Sequence, residues 1–97
     1  MIVDANLLLY AVDERSPHHE AAARWLLDAL NGARRVGLPW QTIGAFLRIV
    51  THPRVSTSPL SAGAAQDHVD RWLRAESAWI PPATAATARI YSALAVR

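Results

Sequence analysis

One carboxylate in this chain stands apart from the others. Asp4 follows Ile2-Val3 and precedes Ala5-Asn6 and Leu7-Leu8-Leu9-Tyr10, an acid set in otherwise apolar sequence. Apolar residues running up to a sharp polar turn read as a buried strand, and an Asp or Asn at its end caps a helix that starts at once. That puts Asp4 at the carboxyl end of a strand, where open α/β sheets bind their ligands. Two roles stay open for it: a plain helix cap, which short polar residues make well, or a site residue acting with Asn6 two positions on. The remaining acids, Asp13, Glu14, Glu20, Asp28, Asp67, Asp70 and Glu76, fall on loops or polar helix faces, where solvated charge is the ordinary explanation. Metal-dependent hydrolysis of a phosphodiester calls for several carboxylates converging from separate strand and helix ends, because Mg²⁺ wants hard oxygen ligands and keeps some waters. The sequence offers one such acid.

The other reactive residue types carry less. His18 and His19 are adjacent, so on a helix they point about 100° apart and cannot chelate one ion as an i, i+4 pair does; they read as solvated first-turn residues. His52, before Pro53 at a helix end, reads as a partner for free carbonyls, and His68 has no evident ligand partner. Ser16, Ser56, Thr57, Ser58 and Ser61 lack a strained Gly-x-Ser-x-Gly elbow and read as caps and loop residues. The glycines at 32, 37, 44 and 63 are scattered, so no phosphate-cradling loop exists. Arg48 and Arg54, near the end of the third helix, and Arg34-Arg35, before the second strand, are candidate phosphate contacts or solvated surface arginines.

With 97 residues, 52% hydrophobic and 19% charged, the sequence reads as one globular domain or part of one. A chain this short exposes a large share of its surface, so a layered fold is marginal unless something covers an edge. The absence of cysteine excludes disulfides and thiolate metal sites. No basic leader or membrane-length apolar run appears, which predicts a cytoplasmic protein without membrane contact. The formal net charge is +2, and every basic residue is Arg, the better reader of phosphate and carboxylate. Nucleic-acid binding and a high-GC genome explain that bias equally well.

The elements must position Asp4. After the first strand, Asn6 to about Val12 predicts a short helix. Ser16 as cap and Pro17 as first helical residue start a second helix, with Ala22, Trp25, Leu26, Ala29 and Leu30 on one apolar face, and Asn31-Gly32 closes it with a left-handed glycine. Val36-Gly37-Leu38-Pro39 reads as a second strand. Trp40 to about Thr51 repeats Trp40, Ile43, Phe46, Leu47 and Val50 at helical spacing until Pro53 stops it. Arg54 to Leu60 is a loop. Ser61 caps a helix to about Glu76 with Ala65, Val69, Trp72 and Leu73 inward, Ala78-Trp79-Ile80 is a third strand, and Ala85 to Val96 a last helix. Strands alternating with helices and no hairpin signal predict a parallel sheet with helices on both faces.

Three stretches together resemble a family: Val3-Asp4-Ala5-Asn6-Leu7-Leu8-Leu9-Tyr10-Ala11, Ser16-Pro17-His18-His19, and Leu38-Pro39-Trp40 through Phe46-Leu47-Arg48-Ile49-Val50-Thr51-His52-Pro53-Arg54. They look like the PIN domain and, within it, the VapC toxins of bacterial toxin–antitoxin pairs. The resemblance implies a PIN-like three-layer α/β/α sandwich around a parallel sheet, a Mg²⁺-dependent ribonuclease in which Mn²⁺ can substitute, RNA as substrate, a VapB-type antitoxin as partner, and a homodimer. It maps the first acidic metal ligand onto Asp4 and a polar site residue onto Asn6. Arg48 and Arg54 would face RNA or the antitoxin. Many members carry a Glu just before the Phe of the third helix, where this chain has Ala45.

The later acids of the family have no counterpart in these 97 residues. The sequence is therefore expected to be a single PIN-like domain, residues 1–97, lacking its C-terminal strands. Its strands would all lie to one side of the first, leaving that strand at an open edge, and more residues or a second chain would supply both the cover and the missing carboxylates. The alternative is a shortened, catalytically inactive relative that acts only by binding. A phosphate-handling α/β domain of another family, with Asp4 as nucleophile or ligand, has no second motif to support it.

Overall fold

Three extended segments run parallel at the centre of the computed structural model, which describes residues 1–55 and 58–81. The helix expected over Ala85–Val96, and Ser56 and Thr57 of the loop, lie outside the described residues. Strand β1 (Val36–Gly37) pairs with β2 (Ala78–Trp79), Val36 opposite Ala78 and Gly37 opposite Trp79. On its other side β1 takes the opening residues through one bridge, Ile2 to Gly37. The Val3 N–H donates to the Gly37 carbonyl at 3.0 Å, and the Gly37 N–H to the Met1 carbonyl at 2.7 Å. The opening segment is thus at an edge, and among the described residues nothing pairs with its outer side. It is less of a strand than the apolar run predicts. Val3 is buried, but Ile2 is 57% exposed, since successive side chains of an extended segment point to opposite faces. Gly37 is closely approached: a Cβ there would lie 2.7 Å from Ile2 Cδ1, the mobile end of an exposed side chain, and 3.1 Å from Pro81 Cγ, so its neighbours would have to give way.

Helix α1 (Ala5–Val12) starts directly after Asp4. Helix α2 (His19–Leu30) starts later than the Ser-Pro signal predicts. The Ser16 hydroxyl accepts from the His18 N–H at 3.1 Å, and the Ser16 carbonyl accepts from the His19 N–H. A local turn thus consumes the hydroxyl that the cap would use. At the other end Gly32 does not adopt the left-handed conformation; no described residue has a positive φ, and the Gly32 N–H bonds the Ala29 carbonyl in a tight turn instead. Helix α3 (Trp40–Val50) follows the buried Pro39, and α4 (Ala62–Leu73) is capped as expected, Ser61 Oγ accepting from the Ala64 N–H at 3.1 Å.

Helix α1 packs on α2 and α3, α3 on α4, and α4 on β2. Leu8, Leu26, Ile43, Phe46, Val69 and Trp72 meet Val36 and Leu38 in one core, where Phe46 and Trp72 contact edge to face at 5.0 Å. This is an α/β fold with a short parallel sheet. Two aromatic residues assigned inward by spacing lie outside it, Trp25 at 42% and Trp40 at 63% exposure. No helix of the described residues is long and apolar enough to cross a membrane.

Candidate functional site

The sheet register decides what stands beside Asp4. Counting two residues on from the bridged pair Ile2 and Gly37 gives Asp4 on one segment and Pro39 on the other. These are the residues that cap α1 and α3. Two helices therefore leave neighbouring parallel segments at the same carboxyl edge, with their free N–H groups and positive dipole ends turned toward it. The structure shows Asp4 as a helix cap: its Oδ1 accepts from the Leu7 N–H at 3.0 Å, and the side chain stays exposed. Helix α3 has no side-chain cap, since Pro39 offers none.

Asn6 is exposed in the first turn of α1, so the structure brings the predicted pair Asp4 and Asn6 to one edge. Trp40 and Gln41, both exposed, open α3 at that edge, and half-buried Ala45 follows one turn later. Arg48 and Arg54 are not brought there. Arg48 is exposed eight residues beyond Trp40, about 12 Å along the helix axis, and Arg54 is exposed in the turn beyond α3. Arg34 and Arg35 precede β1 and so belong to the opposite, amino edge of the sheet. Trp40 departs from its expected inward place and stands exposed. Its helical spacing with Ile43 matched the buried face, and the one contrary signal was its place immediately after a strand-ending proline.

Of the histidines, His18 stays exposed as expected, and His68 belongs to no metal-holding group among the described residues. His19 is half-buried, its Nδ1 3.0 Å from the Tyr10 carbonyl, and His18 packs on the Tyr10 ring at 4.9 Å, so the pair ties α2 to the end of α1 and is not simply solvated. His52 Nδ1 accepts from the Arg54 N–H at 3.1 Å, so that nitrogen serves a backbone donor and not the expected free carbonyls. His68 packs near Trp72, and burial, with Arg71 beside it, lowers its pKa below the usual 6.5 against the opposing pull of Asp67. It borders a groove of about 490 Å³ between α1, α2 and α4, walled by Leu26, Leu27 and Leu30 and edged by Arg71 and Arg74.

As a cation site the edge is sparse. Asp4 supplies one charged oxygen and Asn6 an amide oxygen, and no group of three or more acids and histidines among the described residues is placed to hold a metal. Mg²⁺ at phosphate-handling sites takes one or two carboxylates, with waters and substrate oxygens completing its shell. Asp4 fits that donor chemistry at its lower limit.

No family profile matches the chain. Individual relatives do. It is 49% identical over 77 residues to Ribonuclease VapC37 of Mycobacterium tuberculosis (strain ATCC 25618 / H37Rv), covering 79% of this chain and 54% of the relative. It is 44% identical over 73 residues to Ribonuclease VapC33 of M. tuberculosis (strain CDC 1551 / Oshkosh), covering 75% and 51%. The VapC ribonuclease Mb2897 of Mycobacterium bovis is 39% identical over 79 residues, 80% of this chain and 53% of that one. The chain spans about half the length of the curated relatives it matches.

Proposed function

Because the chain belongs to the VapC family of PIN-domain proteins, we propose that it serves RNA cleavage, as a toxin ribonuclease of a type II toxin–antitoxin module in the cytoplasm. The observation that carries this reading is Asp4, an exposed carboxylate at the shared carboxyl edge of two parallel segments where α1 and α3 both begin. The cofactor in this reading is Mg²⁺, with Mn²⁺ as a substitute. A bound divalent cation polarises a scissile phosphate, activates a water and stabilises the leaving oxygen. Asp4 would hold it, while the cap bond to Leu7 fixes the carboxylate against the helix start. Asn6 orients a water or a phosphate oxygen. Arg48 and Arg54 neutralise phosphates further along the strand, or face the antitoxin.

Ala45 leaves α3 without the Glu of many relatives. The further carboxylates are proposed to come from additional chain or from a second chain, which would also pair with the open flank of Met1–Val3. The groove between α1, α2 and α4 supports a VapB-type antitoxin segment as its occupant, apolar toward Leu26 and Leu30 and acidic toward Arg71 and Arg74. A homodimer belongs to the same reading, and light scattering would test it. The lone carboxylate favours one second reading, an inactive relative that only binds.

The deciding experiment titrates Mg²⁺ and Mn²⁺ while following RNA cleavage, in the 97-residue chain and in a form extended by its downstream reading frame. Metal-dependent cleavage that is strong only in the extended form supports the whole reading. Strong cleavage by the 97-residue chain alone removes the need for further carboxylates. No cleavage by either form leaves the binding-only reading.

A further inference from the structure

We propose that Trp40 is a stacking platform for a nucleobase, and that it sets where single-stranded RNA lies against the Asp4 edge. The inference rests on the RNA reading above and adds to it the residue that grips the substrate beside the reacting phosphate.

Trp40 is the most exposed large aromatic side chain among the described residues, at 63%, although its helix is otherwise well buried through Ile43, Phe46 and Val50. Among the described residues no ring contact or side-chain hydrogen bond involves it, whereas Trp72 packs against Phe46 and His68, and Trp79 lies beneath Arg35. Its position is fixed at both ends. Pro39 before it is buried, and the Ile43 N–H bonds the Pro39 carbonyl at 3.0 Å, so the first turn of α3 is held and the indole stands on a rigid base. Rigid aromatic surface loses little freedom when a flat partner stacks on it.

The placement selects the partner. Trp40 is one residue past Pro39, which is level with Asp4 on the neighbouring segment. Parallel segments about 4.8 Å apart, offset by one residue, set the two backbones roughly 6 Å from each other. The carboxylate and the indole therefore flank the same small stretch of edge, with Asn6 and Gln41 exposed beside them. Single-stranded RNA, the substrate of the cleavage proposed above, carries a phosphate and an unstacked flat base within that distance, and stacking alone would accept single-stranded DNA as well. Proteins that take such strands stack their bases on exposed aromatic residues, largely without regard to sequence. Duplex RNA hides its base faces and finds nothing to stack on here.

The test measures binding without cleavage. A fluorescein-labelled 2′-O-methyl oligoribonucleotide of mixed sequence is titrated with the 97-residue chain in EDTA, followed by fluorescence anisotropy, with the same oligonucleotide as a duplex in parallel. Trp40→Ala is expected to weaken single-strand binding by roughly tenfold or more, Trp40→Phe to restore it to within a few-fold, and duplex binding to be unchanged. Trp25→Ala is the control, an exposed indole on α2, whose end is tied to the opposite edge through Leu30 and Ser77; it should bind as the unaltered chain does. Trp40 is exposed, so thermal unfolding of its variants should stay near that of the parent. Equal affinity of Trp40→Ala and the parent overturns the proposal, as does a parent chain that binds no single strand. Neither result touches the cleavage reading, which fails separately, by absence of metal-dependent cleavage.

Discussion

The two edges of the small sheet are built in opposite ways. At the amino edge side chains and termini are tied together: the Met1 amino group lies 3.4 Å from the Arg35 carbonyl, the Arg35 guanidinium sits 4.5 Å over the Trp79 ring, and Ser77 Oγ donates to the Leu30 carbonyl at 2.7 Å. At the carboxyl edge Asp4, Asn6, Trp40 and Gln41 stand exposed at two helix starts, and one bond, from the Leu7 N–H to Asp4, is the cap itself. The difference teaches where stability and chemistry divide. Bonds at the amino edge hold the segments in register, and that register delivers free groups to the other end.

The largest expected effect removes what both edges share. Phe46 is fully buried against Trp72, so Phe46→Ala should cost about 3–5 kcal/mol, and chemical denaturation should show RNA binding lost together with the fold. Retained binding in that variant would mean the carboxyl edge does not depend on the core. A smaller effect separates the edges. Ser77→Ala removes the bond to the Leu30 carbonyl and should cost about 1 kcal/mol, with RNA binding unchanged in the same anisotropy titration; an equal loss of both would make the division false.

The smallest effect concerns His68, which lies away from both edges. Its folded pKa is lowered below 6.5 by burial and Arg71, so the unfolded chain takes up its proton first as pH falls. The stability that the neutral ring contributes is therefore complete above about pH 6.5 and declines as pH drops toward the lowered value. Thermal unfolding from pH 8 to 5 should show the parent losing slightly more than His68→Gln across that window. Parallel curves would remove His68 from the pH response.

Much of this was legible in the sequence because it is local. The Asp4 cap, the Ser61 cap, the four described helices and the parallel order follow from spacing and turn chemistry over a few residues. What escaped depends on contacts made elsewhere. The sequence predicts Ser16 as a cap, but its hydroxyl closes a turn onto His18; Trp25 and Trp40 keep helical spacing with buried neighbours, yet both are exposed. The distance of Arg48 from Asp4 required knowing that α3 leaves from the same edge and runs onward. A single carboxylate was visible in the sequence, and among the described residues the fold gathers no group of acids and histidines around it.

The most direct test of the account is Asp4→Asn, measured for RNA cleavage and thermal unfolding on the same preparation, in whichever form of the protein cleaves RNA with Mg²⁺. Asn caps a helix about as well as Asp, so the substitution keeps the bond to Leu7 and removes only the charge. The account predicts unfolding within about 0.5 kcal/mol of the parent and cleavage reduced by a factor on the order of 100 or more. Undiminished cleavage by a folded Asp4→Asn protein would contradict it.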